Sequence, residues 1–304
     1  VKVFLKKMSL GFSIVKIAIF FVLIAFVIQR IGFGGSELAQ AYIGGVPTFH
    51  PSLVRIQVSN SLVFSGVKVA PSTILTAAHC VRSAMEPGSR VTLVKGKGTR
   101  SEASINTVVT RRLVHPLLRG RDLRETYSDA PDLALFEVED ASLFEEMPIN
   151  LGKIEAGDFI YVGGFGEKGG FFPDFGSYTW AKKAVQEFAE TRMFVGLPDV
   201  ATTAGEGVLS FPGSGDSGGP AMVRDSRNSL SIVGVNSSVS HQSDQFVVDQ
   251  RTGRLIRSFA RDPVLAVVKL GYASDQDPYG VVAWLKMYLP ASSFRTERTG
   301  AHTK

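Results

Sequence analysis

Three side chains in this 304-residue sequence have the types that nucleophilic catalysis needs. Ser217 lies in Pro212-Gly213-Ser214-Gly215-Asp216-Ser217-Gly218-Gly219-Pro220, a hydroxyl set among residues chosen for backbone shape. Glycines on both sides let the backbone approach a reacting atom, and the N–H groups of Gly215 and Ser217 are suited to an oxyanion about 3 Å away. By composition alone the same stretch reads as a Gly/Ser/Pro surface loop. Asp216 is too close in sequence to Ser217 to act easily as its catalytic acid, so it is expected to pair with a cation from elsewhere.

A serine hydroxyl is a poor nucleophile until a base takes its proton, and the base needs a third group to hold its tautomer. Thr76-Ala77-Ala78-His79-Cys80 ends an apolar strand with two small residues that permit close packing just before an imidazole. Asp132-Leu133-Ala134-Leu135 places an acid at the head of an apolar strand, where burial is tolerated only for a hydrogen-bonded carboxylate. Taken alone, that acid is also ordinary turn chemistry. Asp129 competes with it but has no strand behind it. His50, His115, His241 and His302 read as surface or structural histidines.

The elements that must carry these groups are short apolar runs separated by turn residues: 53–58, 62–69, 73–76, 91–94, 105–110, 133–138, 159–162, 221–223, 230–235 and 264–270. Such spacing predicts an all-β sandwich or barrel. One helix is predicted over 278–289, with Val281, Val282, Leu285 and Leu289 near one face and Asp275 or Asp277 as its cap. Stretches 95–104, 117–129 and 241–262 read as insertions, the first a solvated loop and the other two edging a substrate cleft.

Hydrophobic residues make up 44% of the chain, enough for a sizeable core and too many for a disordered one. The net charge of +5 invites a nucleic-acid reading, but Lys2, Lys6, Lys7, Lys16 and Arg30 against Glu37 supply most of it before residue 42. The remainder is near neutrality and offers no polyanion footprint. Residues 17–28 form twelve apolar residues behind a lysine-bearing start, the length of an export-signal core, and Ala39-Gln40-Ala41 offers a small-x-small cleavage site. Residues 1–41 are therefore expected to be a signal peptide, with an uncleaved membrane anchor as the alternative. Cys80 is the only cysteine, so an intrachain disulfide is excluded.

The serine stretch, the Thr-Ala-Ala-His-Cys segment and the acid between them resemble the three motifs of trypsin/chymotrypsin-like serine proteases, in the family order His79, Asp132, Ser217. Tyr42-Ile43-Gly44-Gly45 resembles the family's mature N-terminus, and Gly164-Phe165-Gly166 its Gly-Trp-Gly turn. The resemblance spans about 42–290 and leaves 291–304 as a C-terminal tail. It implies two six-stranded antiparallel β-barrels with a C-terminal helix and an active site between the barrels. It also implies endopeptidase chemistry in which His79 is the base, Asp132 orients it and Ser217 forms the acyl-enzyme.

Phe211 is implied at the floor of the specificity pocket, with Ser237, Ser238 and Val239 as its wall, so uncharged residues are expected before the scissile bond. The α-ammonium of Tyr42, freed by cleavage, is implied as the partner of Asp216. Neither metal nor cofactor is expected, and the partners are protein or peptide substrates of an exported, periplasmic or extracellular monomer. Membrane contact is expected only through an uncleaved N-terminus. The family's usual partner for Cys80, near Phe64-Ser65-Gly66, is missing, and Gly213 stands about where a second cysteine is common.

Two other readings use the same residues. Gly215 to Gly219 also satisfies the G-x-S-x-G of α/β-hydrolases, but Gly218-Gly219-Pro220 starts a helix poorly and no supported histidine follows. A non-catalytic homologue serving as a binding module is the alternative of another class, since fold does not fix function.

Overall fold

The computed structural model of the chain divides into two units, Val1–Ala39 and Gln40–Lys304. It describes residues 46–47, 50–58, 62–81, 85–95, 103–123, 130–166, 179–189, 191–196, 215–240, 244–248, 255–259, 264–270, 277 and 279–296. The expected export segment, Tyr42, Phe211 and His241 lie outside these residues.

After the short β1 (Val46–Pro47), six strands close the first barrel: β2 (Leu53–Val58), β3 (Leu62–Ala70), β4 (Thr73–Thr76), β5 (Arg90–Lys95), β6 (Ala103–Val114) and β7 (Ala134–Val138). They are ordered β2-β3-β4-β7-β6-β5, and β5 returns to β2 with Ile56 opposite Leu93. The alternation of Leu-Val-Arg-Ile-Gln-Val decides which side of β2 faces in: Val54, Ile56 and Val58 are buried while Arg55 and Gln57 are half-buried.

The second ring uses β9 (Phe159–Gly164), β10 (Thr179–Ala189), β11 (Arg192–Gly196), β12 (Pro220–Arg224), β13 (Leu230–Ser240) and β16 (Val264–Lys269). All its pairings are antiparallel, and β12 closes it by pairing with both β9 and β13. Ile160, Val162, Val185, Met193, Val195, Val223, Val233 and Val267 fill its interior. Burying each such side chain contributes about 1.5–3 kcal/mol. The protein is thus two closed six-stranded antiparallel barrels, as the resemblance implied.

Helix α1 (Val281–Tyr288) follows, and Asp277 caps it by accepting the Val281 amide at 2.9 Å and the Val282 amide at 2.8 Å. Val281, Trp284 and Leu285 are its buried residues. Trp284 meets the His115 ring edge-on at 5.2 Å, and His115 is buried.

The structure departs from the expected elements in three places. The folded part runs past residue 290: β17 (Phe294–Arg295) pairs in parallel with β8 (Ile149–Asn150), and the buried Ser293 hydroxyl donates to the Val69 carbonyl at 2.8 Å. The expected insertion 241–262 carries two strands that were not foreseen, β14 (Asp244–Val248) and β15 (Leu255–Phe259), which pair antiparallel within it. β10 and β11 were not among the expected strands; the paired lysines of Thr-Trp-Ala-Lys-Lys-Ala-Val break the alternation, yet Lys183 is buried while Lys182 is only partly so.

A buried lysine also joins the first barrel to the connection that leaves it. Lys68 on β3 donates to the Ala141 carbonyl at 3.1 Å and the Phe144 carbonyl at 2.8 Å. Both carbonyls lie in the segment that runs on toward the second barrel, so the cation is satisfied by backbone oxygens.

Candidate active site

Strand register brings the first two groups together. β4 and β7 are antiparallel with Thr76 opposite Ala134, so continuing the register past both strand ends sets Asp132 beside the turn that carries His79. That turn is a short 3-10 segment, Ala78–Cys80, and the flanking Ala77 and Ala78 are fully buried. Arg112 on β6 holds it from the other side by donating to the Val81 carbonyl at 3.0 Å.

Asp132 takes two hydrogen bonds from one residue. Its Oδ1 accepts the His79 amide at 2.9 Å, and its Oδ2 pairs with His79 Nδ1 at 2.7 Å. A third bond comes from the second barrel, where the Ser237 hydroxyl donates to Oδ2 at 2.6 Å. The β13–β16 register shifts between Asn236 and Ser238, so Ser237 is the bulge residue and its side chain is re-aimed. Burial of Asp132 opposes its ionisation, but the His79 ring, the Ser237 hydroxyl and the His79 amide outweigh it. The carboxyl is therefore held below its usual range and charged.

The serine loop is gripped from behind by its carbonyls. The Gly215 carbonyl accepts the Ser65 hydroxyl at 2.8 Å, the Asp216 carbonyl accepts the Gly219 amide at 3.0 Å, and the Ser217 carbonyl accepts the Ser65 amide at 3.0 Å. Among the described residues the Gly215 and Ser217 amides donate to no acceptor. Two donors left free on a loop whose Gly215 and Ser217 carbonyls are engaged on β3 are what an oxyanion site requires. Gly218 has φ +81, and a Cβ there would run into the Thr76 hydroxyl and the Ser65 carbonyl. Ser217 thus sits on the seam between barrels, one residue from Gly218, which packs against Thr76 at the end of the strand that leads to His79.

Asp216 is buried, and its Oδ1 accepts the Gly166 amide at 2.8 Å. The turn at residues 164–166 folds so closely around this carboxylate that a Cβ on Gly166 would stand 2.7 Å from Oδ1 and 2.8 Å from Oδ2. The Gly-Phe-Gly segment is therefore the seat of Asp216.

Cys80 is a free, buried thiol whose Sγ lies 3.6 Å from His79 Nε2. Burial disfavours the imidazolium, but the Cys80 sulfur and the Asp132 carboxylate outweigh it, so the proton affinity of His79 is raised above that of an ordinary imidazole. His115 goes the other way: burial lowers it to about 4, with the Asp277 carboxylate and the Tyr279 backbone offsetting part of the effect.

Of the residues expected in the specificity pocket, Ser237 spends its hydroxyl on Asp132, Ser238 is half-buried on β13, and Val239 lies opposite Leu265 on β16. Phe211 lies outside the described residues, as does Tyr42. Sequence reasoning missed Ser65, a small polar residue inside an apolar run, and that was the available signal. Among the described residues no three His, Cys, Asp or Glu side chains gather to hold a metal ion.

A family model described as Trypsin matches residues 42–252. Comparison with curated proteins gives no match. Among solved structures the chain is similar to the scabies mite inactivated protease paralogue S-D1, at 18% identity and a TM-score of 0.49, over 75% of this chain and 92% of that one.

Proposed function

The chain belongs to the trypsin family, and from that membership we propose that it is a serine endopeptidase using Ser217, His79 and Asp132. Asp132 fixes the ring with Nδ1 toward the carboxylate, which presents Nε2 as the base. Ser217 Oγ attacks the scissile carbonyl carbon as its proton passes to Nε2. The carbonyl oxygen becomes an oxyanion facing the Gly215 and Ser217 amides. His79 then gives the proton to the departing amine, leaving an acyl-enzyme that water hydrolyses by the same steps. The observation that carries this reading is the buried carboxylate of Asp132, bonded to His79 twice and to Ser237 once, beside a serine loop with two free amides.

The rest of the reading follows the family template. Residues 1–41 export the protein, and cleavage after Ala41 frees the Tyr42 ammonium to pair with Asp216 as a monomeric enzyme outside the cytoplasm. The pocket takes uncharged, small aliphatic side chains, since Phe211 offers no counter-charge and an unpaired Arg or Lys is costly to bury.

One observation favours the second reading, a non-catalytic binding module: the Cys80 sulfur already occupies the vicinity of Nε2. A fluorophosphonate probe separates the two. The endopeptidase takes the label on Ser217, read by mass spectrometry of the tryptic peptide; a binding module takes none.

A further inference from the structure

Ser65 lies in β3 of the first barrel and is fully buried, yet its polar groups are all engaged, and three of its four bonds go to the serine loop and the Asp216 seat. Its hydroxyl donates to the Gly215 carbonyl and accepts the Phe165 amide, both at 2.8 Å. Its amide donates to the Ser217 carbonyl at 3.0 Å, and its carbonyl accepts the Thr76 hydroxyl at 2.8 Å. One hydroxyl thus bridges partners 150 and 100 residues away in the sequence.

Such a bridge matters because of what Gly215 lacks. It has no side chain and a φ of +95, so nothing of its own fixes the peptide that joins it to Asp216. Rotation of that peptide changes the angle between the Gly215 and Ser217 amides, which must converge on one oxygen. A hydrogen bond on the Gly215 carbonyl stops the rotation. The Phe165 amide on the same hydroxyl ties that stop to the turn in which Asp216 is seated.

We propose that Ser65 is a positioning residue: its hydroxyl locks the Gly215–Asp216 peptide, so that the Gly215 and Ser217 amides meet at the oxyanion, and couples this lock to the Asp216 seat. The proposal rests on the endopeptidase reading.

The test is Ser65→Ala, with Ser65→Cys kept in reductant as the near-isosteric rescue. Ser65→Ala is expected to lower kcat by about 10- to 100-fold while KM stays within about 2-fold, since only the transition state carries the oxyanion. Affinity for a peptidyl trifluoromethyl ketone, whose carbonyl becomes an oxyanion when Ser217 adds to it, is expected to fall in parallel. Affinity for the matching unreactive peptide amide is expected to hold. Ser65→Cys, which keeps a weak donor and acceptor, is expected to recover part of kcat. Hydrogen exchange at the Phe165 amide is expected to quicken in Ser65→Ala while amides elsewhere in the first barrel keep their rates.

Wild-type kcat and ketone affinity in Ser65→Ala overturn the proposal, and so does equal weakening of ketone and amide, which is the mark of general loosening. A wild-type protein that cleaves no peptide and takes no fluorophosphonate overturns the endopeptidase reading instead. In that case the unchanged or altered Phe165 exchange still decides whether the bridge exists.

Discussion

The Ser237 hydroxyl of the second barrel donates to the Asp132 carboxylate of the first at 2.6 Å, making it a bond between the two halves of the protein as well as a partner of the carboxylate that holds His79. Ser237→Ala leaves one buried carboxylate oxygen short of a donor, a loss of about 1–3 kcal/mol. Reduced stability in urea melts is expected together with a roughly 10-fold lower kcat/KM, since Asp132 then orients His79 less firmly. Unchanged values for both quantities would show that the bond is incidental.

Cys80→Ala tests the sulfur beside Nε2. The Cys80 sulfur contributes to the raised proton affinity of His79, and in the proposed mechanism the free base is the active form, so the acid limb of kcat/KM is expected above the ordinary imidazole value of about 6.5. Removing the sulfur lowers the proton affinity of His79 and is expected to move that limb toward lower pH. A limb that stays in place assigns the raised proton affinity to Asp132 alone.

Gly166→Ala drives a methyl into the Asp216 carboxylate, with a Cβ 2.7 Å from Oδ1. The carboxylate has to leave its seat, and the serine loop next to it shifts. Active-site titration is expected to find most of the purified variant unable to acylate, with the melting of the first barrel little changed. Full titration would place the seat of Asp216 outside the catalytic frame.

His115 offers a control away from the chemistry. Its folded pKa of about 4 lies below the free value of 6.5, so the unfolded chain binds the proton first as pH falls. Stability is therefore expected to be whole above about 6.5 and to be lost on descending toward 4. His115→Phe should flatten that slope between pH 7 and pH 5 without altering peptide turnover. A variant with the wild-type slope would mean that other groups cause it.

The features legible in the sequence were those set by local chemistry. The apolar run 53–58 marked β2 at its observed bounds, Asp277 was one of two acids readable as a cap, and the glycines around Ser217 announced a loop shaped for close approach. Less legible was whatever depends on register. Ser237 faces Asp132 because of a bulge, and no residue type in Val-Asn-Ser-Ser-Val signals which serine turns inward. β10 was hidden because burial of Lys183 breaks the expected rule for lysine. Ser65 looked like a neutral interruption of an apolar run, and its meaning comes only from partners more than ninety residues away.

The central claim is that Ser217 is the nucleophile of a peptide-cleaving enzyme, and its most direct test compares wild type with Ser217→Ala on a denatured proteome. The account predicts new peptide termini after uncharged side chains with the wild type. It predicts turnover at least about 10⁴-fold lower with Ser217→Ala, at an unchanged melting temperature. Comparable cleavage by both proteins, or none by a wild type bearing Tyr42 at its N-terminus, would contradict it.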